Sequence, residues 1–309
     1  MIKERLDSFR ELMKERGISA YLVPTADFHG SEYVGDYFKC RCFMTGFTGS
    51  AGTLVVTLDD AALWVDGRYF VQAEKQLKGS TVGMMKMGEE GVPSLEEFIL
   101  AAVPEGGAAG FDGRVVDSAF GRKLERLLAG KKASIKDQED LVDLVWKDRP
   151  AMSAQPVWIL KEEYAGRSAE DKLAWLRDTM KKEGAGVHLL TLLDDIVWLL
   201  NIRGDDVRCN PVVLSYFAIT NDQAFLFINP ETLNQEVRDY LNDLKVEIRP
   251  YNEVYDYVKS LNNQKILLES GCVNYAMLRS IDSSNEIIDQ MNPETLAKAV
   301  KNPVEIENM

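Results

Sequence analysis

Two histidines, His29 and His188, are the whole supply of imidazole in this chain, so acid–base or metal chemistry would have to rest largely on carboxylates and thiols. His29 stands in Asp27-Phe-His-Gly-Ser-Glu32, a polar loop after a strand-like run, where binding residues tend to gather. Asp27, His29 and Glu32 are metal-ligating residue types, but no partner is marked elsewhere, and they are read as loop-ordering hydrogen-bond groups. His188 lies in an apolar strand and reads as a satisfied core residue. Asp194-Asp195 and Asp205-Asp206 are adjacent carboxylates, a pair type that shares a proton or holds a divalent ion when the side chains converge. Adjacent side chains tend to point apart, so capping and surface solvation are expected instead. Asp66-Gly-Arg68 joins a strand end to a helix, where Asp66 is placed to cap and Arg68 to meet a carboxylate.

Cys40 and Cys42 lack a second Cys or His pair at ligand spacing. With Cys209 and Cys272 they make four cysteines, too few for a disulfide framework and suited to a reducing cytoplasm. Gly46-Phe-Thr-Gly-Ser-Ala-Gly52 has the glycine density of a phosphate cradle. A cradle needs a strand before it and a helix after it, whereas a strand follows here, so a tight backbone turn is expected. There is no His-Glu-x-x-His zinc site and no Walker loop.

The elements that must position these residues recur in one order. The first copy reads as helix 2–16, strand 18–23, an irregular stretch, and a hairpin of strands 52–57 and 61–65. Helix 68–77, strand 81–87, helix 94–103, strand 108–112, helix 118–129, strand 133–136 and helix 139–147 follow. After a proline-marked linker, Asp148–Pro156, come helix 168–183, strand 186–191, the segment 194–201 and a hairpin of 214–220 and 224–228. Helix 231–243, strand 245–249, helix 251–262, strand 265–269, helix 274–281 and strand 286–290 close the second copy. Residues match as well as order. Leu6, Arg10, Met13, Lys14 and Gly17 correspond at one offset to Leu173, Arg177, Met180, Lys181 and Gly184. Thr57, Asp59, Ala61 and Leu63 correspond at a slightly smaller offset to Thr220, Asp222, Ala224 and Leu226, which makes the first copy's intervening loop the longer.

The expected fold class is therefore α/β: two tandem α/β/α units with mixed β-sheets. The assigned boundaries are 1–148 for the first unit, 149–156 for the linker, 157–291 for the second unit and 292–309 for a helical start of something further. Asn292-Pro-Glu and Asn302-Pro-Val-Glu305 both carry helix-start signals, and a helix begun and cut at Met309 suggests truncation before another domain.

Composition narrows the function classes. A chain of 309 residues with 46% hydrophobic and 28% charged residues has the makings of two ordinary cores. Its net charge of −13, without a basic stripe, opposes nucleic-acid binding. No signal-peptide core opens the chain, and no apolar run approaches the roughly 20 residues that span a bilayer, so neither nucleic acid nor membrane is expected as a partner.

Three loops carry a family resemblance. Asp27-Phe-His-Gly-Ser-Glu-Tyr-Val34, Phe43-Met-Thr-Gly-Phe-Thr-Gly-Ser-Ala-Gly-Thr53 and Leu63-Trp-Val-Asp-Gly-Arg-Tyr-Phe70 resemble the first domain of Xaa-Pro aminopeptidases. Leu193–Val207 followed by Asn210-Pro211 resembles the second domain of their long, three-domain form, and Asp148-Arg-Pro150 and Lys301–Met309 also fit. The resemblance implies two creatinase N-terminal units of RNase H-like topology. It implies as well a parent enzyme, a metallopeptidase that removes an N-terminal residue preceding proline. Catalysis there belongs to a third, pita-bread domain in cis, starting near Lys301, which holds two divalent ions, usually Mn²⁺, through two Asp, one His and two Glu. The family further implies a homodimer, a cytoplasmic setting, proline-containing peptides as substrates, and a role for the N-terminal units in oligomerisation and active-site access. This chain alone is then expected to have no catalytic residues, no metal and no cofactor. His29, Glu32, Arg68, Arg203 and Asp205 are the candidates for access or interface contacts, Arg203 as half of an Arg–carboxylate clamp. Cys209-Asn-Pro-Val-Val213 departs from the family's usual Tyr-Asn-Pro-Val-Phe, which weakens a substrate role for that loop. The alternatives are a stand-alone small-ligand module using the glycine-rich loop and an RNase H-like nuclease using carboxylates with Mg²⁺.

Overall fold

A computed structural model describes residues 2–309. The chain divides into two compact units, one of residues up to Phe28 plus Glu32–Met152, the other of His29–Ser31 plus Ser153–Met309.

In the first unit, α1 (Ile2–Glu15) buries Leu6, Phe9 and Met13 at helical spacing and is stopped by Gly17, whose φ of 61° suits glycine. Then come β1 (Ala20–Pro24), α2 (Cys40–Thr45), β2 (Thr53–Thr57), β3 (Ala61–Val65), α3 (Phe70–Leu77), β4 (Gly83–Lys86), α4 (Leu95–Ala102), β5 (Ala108–Gly110), α5 (Ser118–Ala129), β6 (Ser134–Lys136) and α6 (Leu141–Val145). The sheet order is β4-β3-β2-β1-β5-β6. The β2–β3 hairpin and the β1–β2 pair are antiparallel, while β3–β4, β1–β5 and β5–β6 are parallel. Every residue of β3 is buried, as a strand covered on both faces requires. α1 touches both α2 and α6, and α4 touches α5.

The second unit repeats the plan. It runs β7 (Trp158–Ile159), α7 (Glu162–Ala165), α8 (Ala169–Glu183), β8 (Val187–Leu190), α9 (Leu193–Leu200), β9 (Ile202–Arg203), β10 (Ser215–Thr220), β11 (Ala224–Ile228), α10 (Gln235–Asp243), β12 (Glu247–Pro250), α11 (Val254–Ser260), β13 (Lys265–Leu268), α12 (Tyr275–Ser280), β14 (Glu286–Asp289), α13 (Pro293–Ala299) and α14 (Pro303–Glu307). Its main sheet, β12-β11-β10-β8-β13-β14, has the same order and the same alternation of antiparallel and parallel pairs. α8, α9 and α13 touch one another, and α11 touches α12.

The fold is thus mixed α/β, with two mixed sheets as expected. The shared residues do equivalent work in the two copies: Arg10 Nε donates to the Thr57 carbonyl at 3.0 Å and Arg177 Nε to the Thr220 carbonyl at 3.2 Å. Three features escaped the sequence reading. The stretch after β1 contains α2, Asp194–Asn201 is largely the helix α9, and a small two-stranded sheet pairs β7 with β9. Residues 149–156 carry no helix or strand, yet Arg149 is anchored in the first unit, 2.7 Å from Asp140 and 3.0 Å from Asp143.

Candidate functional site

The glycine-rich loop closes on an arginine. Gly46 ends α2 in the left-handed region, with φ 75°. The following loop directs the carbonyls of Phe47 and Gly49 at the buried guanidinium of Arg41, which also donates to Thr25 Oγ1 at 2.9 Å. A phosphate cradle needs amide N–H groups facing inward; here carbonyls face inward and the occupant is a cation. At Gly49 a Cβ would fall 2.2 Å from the Phe47 ring, so close packing fixes glycine there, as the tight-turn reading expects.

Asp66 and Arg68 form a local ring. Asp66 accepts the Arg68 amide at 3.0 Å and both guanidinium edges at 2.9 Å. The hydrogen bonds hold the Asp66 carboxyl below its usual range and raise Arg68, with the exposed Glu32 adding a weaker attraction. Asp66 does not cap α3, whose cap position is Tyr69. Asp112-Gly-Arg114 builds the same ring after β5, again with the amide at 3.0 Å and both edges at 2.9 Å. The Asp-Gly-Arg turn is a repeated device for leaving a strand, and the sequence carries it twice.

All four cysteines are free thiols. Burial pushes Cys40 up to about 12, the opposite of the depressed pKa that a metal-binding or reactive thiolate requires.

In the second unit His29 is completely buried. Its Nδ1 lies 2.9 Å from the Thr191 carbonyl and its Nε2 2.6 Å from the Tyr251 hydroxyl. A carbonyl only accepts, so Nδ1 carries a proton, and the ring stands 4.4 Å from that of Tyr216. His29 thus orders its loop, as the bland reading has it, from an enclosed position.

Arg203 Nη1 donates to the carbonyls of Val197 and Ile202 at 2.7 and 2.8 Å. Buried Lys172 reaches the Trp198 carbonyl and Asn201 Oδ1. Both cations close the negative end of α9. Burial, then the charge of Arg203, pulls Lys172 down to about 7. Asp205 is exposed, so within this unit Arg203 spends Nη1 on carbonyls and not on that carboxylate. Asp206 corrects the expectation of surface solvation: it is buried, accepting the amides of Gln155 at 3.1 Å and Leu214 at 2.8 Å.

A buried ionisable cluster in the second unit lies outside the five candidate residues. His188 Nδ1 meets the Leu267 carbonyl at 2.9 Å, and its Nε2 lies 3.2 Å from Glu294 Oε2, both side chains fully buried. Asp195 is also completely buried and lies 2.6 Å from Lys298 Nζ, which bridges to exposed Asp194. Burial raises Asp195 to about 6. Solvation therefore describes Asp194 in part and Asp195 not at all. The sequence signal was faint: a histidine in an apolar strand, and acidic and basic residues on a helix far along the chain. Of the five candidate residues, Glu32 and Arg68 are exposed in the first unit, while His29, Arg203 and Asp205 belong to the second.

Both halves of the chain match family models described as Creatinase/Prolidase N-terminal domain, over residues 5–145 and 148–305. The chain belongs to that family. Among individual relatives, it is 38% identical to a probable Xaa-Pro aminopeptidase P of Neurospora crassa, over 99% of this chain and 46% of that protein. It is 34% identical to an Xaa-Pro aminopeptidase 1 of Dictyostelium discoideum, over 100% of this chain and 50% of that protein. The crystal structure of an X-prolyl aminopeptidase from Caenorhabditis elegans, a cytosolic enzyme with a di-nuclear active site, superimposes with a TM-score of 0.93 at 32% identity. That match covers 99% of this chain and 52% of the enzyme's. The chain thus spans about half the length of the relatives it matches. Among the described residues no group of three His, Cys, Asp or Glu side chains is placed to hold a metal ion. The donor set among the described residues does not fit a di-nuclear centre. No helix among the described residues is long and apolar enough to cross a membrane.

Proposed function

We propose that this chain forms the non-catalytic N-terminal pair of domains of an Xaa-Pro aminopeptidase, with boundaries at 1–148, 149–156, 157–291 and 292–309. The whole protein removes the N-terminal residue preceding proline, in the cytoplasm, using two divalent ions, Mn²⁺ in this reading, held by a catalytic pita-bread domain in cis. The two N-terminal units serve dimer formation and restrict access to the active site. His29, Glu32, Arg68, Arg203 and Asp205 are the residues proposed to act there, His29 by ordering its loop from within and exposed Glu32, Arg68 and Asp205 by contact. The single observation that supports this reading most is the superposition on the C. elegans enzyme along almost the entire chain. The test is direct: the purified 309-residue chain, assayed on Arg-Pro-Pro with and without Mn²⁺, is expected to release no arginine. Turnover by the pure chain that survives repeated chromatography would overturn the proposal.

A further inference from the structure

α13 is fastened by a carboxylate. Glu294 is its only buried residue, while Leu296 and Val300 beside it are exposed. A short helix normally docks by burying apolar side chains; this one inserts an ionisable group opposite an ionisable partner on β8. Glu294 Oε2 takes the His188 contact, and Glu294 Oε1 and Asn292 Oδ1 are buried with no hydrogen-bond partner. Orphaned buried acceptors are costly, so the attachment depends on the charge state of the groups that are paired.

We propose that α13 is held to the second unit by a proton-dependent latch, with protonated His188 and the Glu294 carboxylate as the inner bolt and Lys298 with Asp194 and Asp195 as the outer one. The ionisable groups around the inner bolt are Asp194 and Asp195 on α9, Lys298 on α13, and Glu269 and Cys272 after β13; Glu269 also accepts the Asn292 amide at 2.9 Å. Lys172, on α8, is committed to the far end of α9. Burial alone would pull the His188 pKa down. The Glu294 carboxylate, with the Leu267 carbonyl, outweighs burial and the net direction is up.

A group raised on folding contributes stability that is complete below its unfolded value, near 6.5 for histidine, and is lost as pH rises through its folded value. With His188 neutral, Nδ1 keeps its proton for the Leu267 carbonyl and Nε2 has none to give to Glu294 Oε2, so the inner bolt opens. Burial raises Asp195 to about 6, so its folding contribution is complete below about 4 and lost as pH rises through about 6, whereas its pairing with Lys298 strengthens over that same window. For Lys298, burial is outweighed by its two aspartates and the shift is upward, so its charge is constant across both windows. α13 is therefore held most firmly in mildly acid solution and loosened as pH rises above neutrality.

With only two histidines in the chain, ring ¹⁵N spectra of the full chain resolve the bolt directly, His188 being assigned by the signal lost in His188→Gln. The expected result is a His188 ring carrying both protons at pH 6.5 and releasing one above that. Hydrogen exchange of α13, corrected for intrinsic rates and referenced to β8, supplies the second measurement between pH 6 and 8.5. Its protection is expected to fall by up to about tenfold per pH unit in the wild type and to be flat in Glu294→Gln. A His188 ring neutral at pH 6, wild-type α13 protection independent of pH, or an unchanged slope in Glu294→Gln would each overturn the latch.

Discussion

At corresponding places in the two units, α6 and α13 bury different chemistry. Each follows the last strand of its sheet and packs on the equivalent helices, α1 in one unit and α8 with α9 in the other. α6 buries Leu141 and Val142, and the Tyr21 hydroxyl on β1 donates to the Glu139 carbonyl at 2.7 Å and accepts the Leu141 amide at 3.3 Å. In the second unit His188 takes Tyr21's place in the strand register, opposite Ile219 as Tyr21 is opposite Val56. Its partner is the Glu294 carboxylate. One duplicated architecture therefore accommodates a helix that buries apolar side chains beside the Arg149–Asp140 pair and one that buries a carboxylate alone. The main sheets do not account for the difference, since their strand order and pairing sense are the same.

The comparison can be broken most forcefully at its charged side. Glu294→Ala strips the partner from a buried histidine and is expected to cost the second unit about 3–5 kcal/mol, read from hydrogen exchange of β8. In the first unit Leu141→Ala is expected to cost about 2–4 kcal/mol through lost burial and a cavity, with no change between pH 6 and pH 8.5. The cost of Glu294→Ala is expected to shrink as pH rises from 6 to 8.5, and costs that depend equally on pH in the two variants would show that the attachments do not differ as described. The smallest effect tests what the copies share. Arg10→Ala and Arg177→Ala each remove one hydrogen bond to a hairpin carbonyl, and each is expected to cost its own unit about 1 kcal/mol. A marked inequality between them would mean that the repeated bond is not energetically equivalent.

The duplicated plan was legible because it is written in local signals. Apolar spacing in α1 and α8, the Thr57–Ala61 and Thr220–Ala224 turns, and the glycines after the first helices all depend on neighbours in sequence. α2 was illegible because Cys40–Thr45 is a short helix without a side-chain cap, held by the burial of Arg41 in a loop that follows it. β7 and β9 are two residues each, too short for periodicity to register. The candidate residues fared according to how local their partners are. Arg68 found its carboxylate two positions away, whereas the Asp195–Lys298 and His188–Glu294 pairs join residues about a hundred positions apart, and no spacing rule reaches across that distance. Burial was misread at Asp195 and Asp206 for a related reason: an adjacent acidic pair looks like a solvated surface unless the fold supplies an amide or an ammonium to one member.

The central claim, that α13 is held by a buried charged pair where α6 buries Leu141 and Val142, is tested most directly by a double-mutant cycle on His188→Gln and Glu294→Gln, read at pH 6.5 from hydrogen exchange of β8. The account predicts a coupling energy of about 1–3 kcal/mol between the two positions. Additive effects, with a coupling no larger than about 0.3 kcal/mol, would contradict it.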